Sequence, residues 1–411
     1  MRGAQLEHVP HTPDGFGFQD DPLHSSTMTL NMGPSHPAMH GTVKMTLELD
    51  GETIRDLDID IGYLHRGFEI MCEQATWTQV LPYTDRLNYV SSFCNNVGYC
   101  LAVEKLLDID VTPRCKWIRM IACEVARIAD HLTAISAGAL ELGAFTPMLY
   151  GMKAREELYA LTEMLCGARL TTAYTRIGGL RWDLPEGFEE RWRHCERSLA
   201  ENLADVDTML TRNRIFVDRM AGTGVIGPEL AVELGFTGPF LRSTGFEYDV
   251  RKAHPYLLYD QVDFDIPLGH KGDNYDRFLV RFEEVGQSVK IINQCFKRIE
   301  PGPVNIDDWR IVLPPKDQVY NTIEGMIAHF KLIMEGIQVP AGEVYGYTEA
   351  ANGELGFYIV SSGVGRPYRL HCRPPCFALM QGLKGMMLNR QLADIIPTFD
   401  TINMVGGEID R

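Results

Sequence analysis

Ile118, Ile121, Val125, Ile128, Leu132, Ile135 and Ala139 recur at alternating spacings of three and four residues. Such a stripe is one face of a long helix, and a narrow stripe is suited to packing against other helices in a bundle. Further helices fit residues 87–108, 148–166, 189–209 and 276–299, punctuated by Pro113, Pro147, Pro185 and the Gly178-Gly179 pair. The period is different ahead of the bundle. Met28, Leu30 and Met32 alternate, as do Val43, Met45, Leu47 and Leu49 up to Asp50-Gly51, and Leu57, Ile59 and Ile61 return. Asp-Gly between alternating runs signals a hairpin, so a small antiparallel sheet is expected. The Gly-rich stretch over 222–272 reads as ordered loop with little regular structure. Pro301, Pro303, Pro314 and Pro315 mark a second boundary, followed by one helix over 318–335 and strands at 343–348, 357–361 and 368–373. The expected class is α+β rather than a doubly wound parallel sheet. The expected organisation is an extended arm over 1–26, a small antiparallel β region with a loop over 27–65, a helical bundle over 66–300 and a C-terminal α/β extension over 301–411.

A net charge of −16 over 411 residues disfavours a nucleic-acid partner, which needs clustered cationic charge. The ten cysteines include no C-x-x-C pair and no signal peptide is expected, which points to reduced, buried thiols in a cytosolic protein. The charge-free run over 87–103 carries three Asn and two Ser, and falls short of the roughly 20 apolar residues of a membrane span.

Chemistry-bearing motifs are few. There is no G-x-G-x-x-G behind a strand, no Walker A pattern and no G-x-S-x-G elbow. The loop over 33–41 holds His36 and His40, but Pro34, Pro37 and Gly41 oppose the helix that would put them on one face. A zinc site would need another ligand, and the spacing brings none close, so no bound metal is expected. Two readings of the loop remain: the histidines cap it by hydrogen bonds, or a rigid loop presents an imidazole to a ligand.

Longer segments carry a resemblance. Leu30 to Gly41 resembles a G-P-x-H-P-x-x-H-G loop, and Ile61-Gly62-Tyr63-Leu64-His65-Arg66-Gly67 is similar to an I-G-Y-L-H-R-G segment. Asp85 to Tyr89, Ala102 to Leu107, Leu142 to Pro147, Tyr248 to Lys252, Glu300 to Pro303 and Gly407 to Arg411 follow in order. Together they resemble the 49-kDa-type subunit (the D subunit) of respiratory complex I, the proton-pumping NADH:quinone oxidoreductase, from about Thr27 to Arg411. The resemblance implies a fold like the nickel–iron hydrogenase large subunit, without the cysteine pairs that would hold its metals. It also implies a peripheral subunit at the cytoplasmic side of the bacterial inner membrane. Its partners would be the iron–sulfur small subunit, other peripheral-arm subunits and a membrane-arm quinone-channel subunit. The chain would bind no cofactor alone: quinone is substrate, and the iron–sulfur cluster belongs to the adjacent subunit.

The resemblance also assigns roles. His40 and Tyr89 would donate to the quinone headgroup in a pocket whose loop includes His36, Met39 and Gly41. Glu141 stands where many relatives have aspartate and would pair with the loop histidine. Arg66 would lie near the terminal cluster. Thr171 stands where many relatives have a histidine near that cluster. Threonine cannot titrate, so a cluster potential less dependent on pH, suited to menaquinone, is expected. Two other readings are a subunit of a ferredoxin- or other donor-linked membrane dehydrogenase, and a docking scaffold without a site.

Overall fold

The computed structural model describes residues 9–10, 26–39 and 41–411. The expected arm over 1–26 lies outside the described residues except at Val9, Pro10 and Ser26, and His40 lies outside them too.

Strands β1 (Val9–Pro10), β2 (Ser26–Met32), β3 (Lys44–Asp50) and β4 (Thr53–Asp60) form an antiparallel sheet in chain order. Leu49 faces Ile54 but Glu48 faces Asp56, so Arg55 is an extra residue in β4. Such a bulge resets which side chains face inward. Ile54 and Leu57, three apart, are therefore both buried, where strict alternation would separate them. Arg55 turns outward and pairs with Asp50 at 2.7 Å.

Helices α1 (Phe68–Gln74) and α2 (Leu81–Thr84) lead to α3 (Ser92–Leu107). The helix expected from residue 87 begins later, because the Asn88 side chain accepts from Val90 N and caps a separate 3-10 turn over Tyr89–Ser91. Helix α4 (Pro113–Glu141) starts cleanly: Thr112 accepts from Cys115 N and Pro113 occupies the first turn. Helix α5 (Phe145–Cys166) follows, then the short hairpin β5 (Thr175–Arg176) and β6 (Gly179–Leu180). Next come α6 (Phe188–Leu210), α7 (Arg214–Met220), α8 (Pro228–Glu233), α9 (Gly238–Arg242), α10 (Val250–Ala253) and α11 (Asn274–Arg298).

Helix α4 packs against α3, α5 and α11. Its apolar stripe is buried, and so are Arg119, Glu124, Arg127, Asp130 and His131 on its other faces. Apolar spacing cannot show this, because the partners come from distant segments. Arg119 meets Glu104 at 2.6 Å and His131 meets Glu284 at 2.7 Å. Arg251 bridges Asp249 at 2.6 Å and Glu124 at 3.2 Å, while Arg242 bridges Glu284 at 2.7 Å and Glu349 at 2.9 Å. Arg242, Asp249 and Arg251 belong to the stretch over 222–272, which therefore has more regular structure than expected and supplies ions to the core.

The single helix expected over 318–335 is two, α12 (Lys316–Asn321) and α13 (Ile323–Met334). Thr322 between them is extended and accepts from Gly325 N at 3.1 Å, capping the second. Strands β7 (Gly342–Ala350), β8 (Gly353–Ser361) and β9 (Arg369–Arg373) form an antiparallel sheet against α3. Helices α14 (Pro375–Met387), α15 (Ile395–Thr401) and α16 (Gly406–Ile409) close the chain. Leu379, Leu383 and Phe399 share a core with Met45, Leu47 and Leu57 of the first sheet. The C-terminal segment thus packs on the N-terminal sheet. The class is α+β.

Candidate functional site

The histidine loop is fastened from below. Ala38 and Met39 are buried in the core shared with β3. The His36 Nδ1 atom accepts from Ala38 N at 3.2 Å, so this imidazole caps the loop's own 3-10 turn over Pro37–Met39. Gly33 sits at φ +88°, and a Cβ there would lie 2.2 Å from Val43 O. Only glycine fits such an approach. Thr42, just past the loop, reaches Met404 Sδ at 3.5 Å, so the loop abuts the C-terminal segment.

Tyr89 leads the 3-10 turn. It is 42% exposed, whereas Asn88, Val90 and Ser91 beside it are buried. Asn88 Nδ2 donates to Asp130 Oδ2 at 2.8 Å, and Asn95 Nδ2 donates to Asn88 O at 2.8 Å. Asp130 Oδ1 accepts from Asn403 Nδ2 at 2.6 Å, and the same amide reaches Asn352 Oδ1 at 2.8 Å. The tyrosine therefore stands on a buried lattice of amides around one carboxylate. Sequence spacing gave no sign of Asn88, Asp130, Asn352 and Asn403, which come from four separate segments.

Two further segments meet this turn. Ser92 Oγ donates to Leu170 O at 2.6 Å, which sets Thr171, half-buried, close to the start of α3. The buried Asp85 carboxylate accepts from Ala173 N at 3.0 Å. That bond steadies Ala173 at φ +39°, an uncommon conformation for a residue with a Cβ. Burial pushes the Asp85 carboxyl up to about 6, against the lowering effect of the Ala173 N–H and the Asn96 amide. Arg66 is exposed, and its Nη2 donates to Arg86 O at 2.9 Å. The turn ahead of it is clasped by Asp410, which accepts from Gly62 N at 2.8 Å and Leu64 N at 2.7 Å.

Arg66, through Arg86 O, and the backbone beside Thr171, through Ser92, are thus each tied to the segment over 85–92 that carries Tyr89. Glu141 is not part of that group. It ends α4, eleven residues beyond Asp130, which is about 16 Å along a helix. Its neighbourhood holds the buried Asp400, whose carboxyl is pushed up to about 8, first by burial and then by the Glu141 charge. Among the described residues no three His, Cys, Asp or Glu side chains converge on a metal position.

Chemically, Tyr89 offers an exposed phenol on a buried hydrogen-bonded base, and Arg66 a guanidinium tied to Arg86 O. Such groups donate hydrogen bonds to an oxygen on which charge develops.

Comparison with known proteins agrees with the motif order. Residues 141–411 match the family described as respiratory-chain NADH dehydrogenase, 49 Kd subunit. The chain is 57% identical over 392 residues to a D subunit of the NADH-quinone oxidoreductase of Anaeromyxobacter sp. (strain Fw109-5), covering 95% of this chain and 91% of that one. It is 55% identical over 395 residues to the D subunit of the NADH-quinone oxidoreductase of Myxococcus xanthus, covering 95% and 94%. A C/D subunit of the NADH-quinone oxidoreductase of Bdellovibrio bacteriovorus is 48% identical over 395 residues, covering 96% of this chain and 70% of the relative. The chain therefore belongs to the 49-kDa subunit family of the respiratory-chain NADH dehydrogenases.

Proposed function

We propose that this chain, as the D subunit of a proton-translocating NADH:quinone oxidoreductase, forms the quinone headgroup site beside the terminal iron–sulfur cluster of a neighbouring small subunit. The observation that carries this reading is Tyr89, whose phenol is exposed while the residues flanking it are locked into buried hydrogen bonds. A core tyrosine would have been buried with them.

Reduction of a quinone takes two electrons and two protons, and negative charge grows on its oxygens as electrons arrive. A phenol O–H is a neutral hydrogen-bond donor, whereas an imidazole can carry a proton and deliver it. Tyr89 therefore orients one oxygen, and His40 supplies the proton to the other. The buried Met39 and the His36 cap stiffen the loop that carries His40. A stiff loop serves this role, because misplacing a donor weakens catalysis. Arg66, tied to Arg86 O, provides a fixed positive charge on the side of the cluster. Such a charge favours the reduced cluster. Loss of a proton by His40 on quinone reduction frees Glu141, which starts the charge movement that drives proton translocation.

The surface also fits an assembly. Ile323, Phe330 and Ile333 on α13 are 69%, 61% and 60% exposed, an apolar face suited to burial against another subunit. No helix among the described residues is long and apolar enough to cross a membrane. In this reading the chain is held at the cytoplasmic face of the membrane through a membrane-embedded partner.

The test is Tyr89→Phe and His40→Ala in the purified complex. Quinone reduction falls at least about ten-fold in each, while NADH oxidation by a hydrophilic artificial acceptor is retained. Wild-type quinone turnover in the double variant overturns the site.

A further inference from the structure

The glycine pair that opens α16 has no part in the site described above. Gly406 and Gly407 are both buried in the first turn of that helix, although glycine is a poor helix former. Neither is held at a positive φ, so the backbone does not demand them. The demand comes from their neighbours. A Cβ at Gly406 would lie 2.6 Å from Thr42 Cγ2 and 2.9 Å from Leu64 Cδ2. A Cβ at Gly407 would lie 2.2 Å from Arg86 O, 2.7 Å from Arg66 Nη2 and 2.9 Å from Leu87 O.

These neighbours belong to three segments. Thr42 follows His40 by two residues, Leu64 and Arg66 belong to the turn clasped by Asp410, and Arg86 and Leu87 lead into the Tyr89 turn. The same C-terminal run reaches each of these regions by hydrogen bonds as well. Thr42 Oγ1 donates to Met404 Sδ at 3.5 Å, and Gly62 N and Leu64 N donate to Asp410 at 2.8 and 2.7 Å. Asn403 Nδ2 donates to Asp130, the carboxylate that also holds Asn88 beneath the tyrosine. Among the described residues no hydrogen bond joins the histidine loop directly to the segment over 85–92. The two instead rest on neighbouring glycines, whose Cα atoms are about 3.8 Å apart.

We propose that Gly406 and Gly407 are positioning residues that fix the spacing between the histidine loop and the Tyr89 turn, and with it the width of the quinone headgroup site. Gly406 bears on the loop and Gly407 on the tyrosine side. The two contacts differ in hardness. At Gly406 the nearest atoms are a threonine methyl and the far end of a leucine, and the β-branched threonine yields less than the leucine. At Gly407 two of the three are backbone carbonyls. A methyl group there must displace the backbone at 86–87 or break the 2.9 Å bond from Arg66 to Arg86 O. This role rests on the proposed quinone site for what occupies the space between loop and turn.

The test is made in the assembled complex. Gly406→Ala lowers kcat/KM for a short-chain quinone several-fold, and Gly407→Ala lowers it by about a hundred-fold. NADH oxidation by a hydrophilic artificial acceptor stays at the wild-type level in both. Thr42→Ser removes the methyl group that the Gly406→Ala side chain meets, and keeps the hydroxyl that reaches Met404. Added to Gly406→Ala, it restores most of the lost turnover; added to Gly407→Ala, it restores none. Amide hydrogen exchange, read by mass spectrometry, checks the joint without quinone: it quickens over 36–42 in Gly406→Ala and over 86–92 in Gly407→Ala. Unchanged exchange in both variants overturns the proposal. So does a Gly406→Ala defect, in turnover or in assembly, that Thr42→Ser leaves in full. Quickened exchange with full quinone turnover counts against the proposed quinone site and leaves the joint standing.

Discussion

Asp130 and Asn403 are separated by 273 residues and meet at 2.6 Å beneath the turn that carries Tyr89. Asn403 also sits at φ +53°, so its backbone is bent to deliver the amide. Asn403→Ala removes a donor from a buried carboxylate, at a cost of about 1–3 kcal/mol. The expected result is a complex that assembles but reduces quinone several-fold more slowly and inactivates at lower temperature. Thermal inactivation and quinone turnover, measured together, check it.

The two glycines of the histidine loop are not equivalent. Gly33 combines φ +88° with a 2.2 Å approach to Val43 O, whereas Gly41, at φ +75°, has nothing within 4 Å of a built Cβ. Gly41→Ala carries only the backbone cost of about 1–2 kcal/mol. Gly33→Ala must also displace β3 or the loop, and a shift of about 1 Å at a reacting group can lower turnover by about a hundred-fold. Steady-state quinone reduction of both variants ranks them: a Gly33→Ala enzyme as active as Gly41→Ala contradicts this account of the loop.

Glu104 and Arg119 form a buried two-point pair, with distances of 2.6 and 2.8 Å. Glu104 also accepts from Gly178 N, tying the β5–β6 hairpin to α3. Glu104→Gln leaves a buried guanidinium without its counter-charge, which costs about 3–5 kcal/mol. Pairing it with Arg119→Met recovers part of that loss. Urea-induced release of the subunit from the complex measures both.

The ten cysteines are all buried. Burial pushes the Cys115 and Cys195 thiols up to about 11. At pH 8 about one in a thousand of either is the reactive thiolate. Alkylation of the native complex followed by mass spectrometry is expected to leave both unlabelled for hours, with labelling only after unfolding. Rapid labelling of either would show that its neighbourhood opens.

Glu408 gives a pH signature. Burial pushes its carboxyl from 4.5 up to about 7, despite the opposing hydrogen bond from Cys376 N. The folded state then holds a proton that the unfolded chain has lost, so this group's contribution is full below pH 4.5 and is lost as pH rises to about 7. Glu408→Gln keeps an acceptor for Cys376 N and removes the titration. The apparent melting temperature of the variant should fall less between pH 5 and 7 than that of the wild type.

How much of this was legible in the sequence follows from how far each signal reaches. Helices α4, α5, α6 and α11 announce themselves because three-and-four spacing is written within the helix. The break at Thr322 is local too, yet apolar residues continue across it and hide the cap. The bulge at Arg55 depends on which residue faces which across two strands, so alternation within one strand misses it. The support under Tyr89 is less visible still, since Asn88 and Asp130 are 42 residues apart and Asn403 is far beyond both. Tyr89, Glu141 and Arg66 stand out through whole-motif resemblance, because spacing alone carries no record of their surroundings. Gly407 opens the last resembling motif, yet only the 2.2 Å that a Cβ would leave to Arg86 O reveals its setting.

Helix α4 is enclosed along most of its length, with Asp130 under the tyrosine turn and Glu141 at its far end. A rod gripped on every side has no room to bow, so a thrust applied at one station must reappear at the other or be absorbed by the whole molecule. Any signal passing between the phenol and the distant acid would then travel as a slide of the entire shaft, and a substitution that slackens its grip midway would uncouple the two ends without touching either.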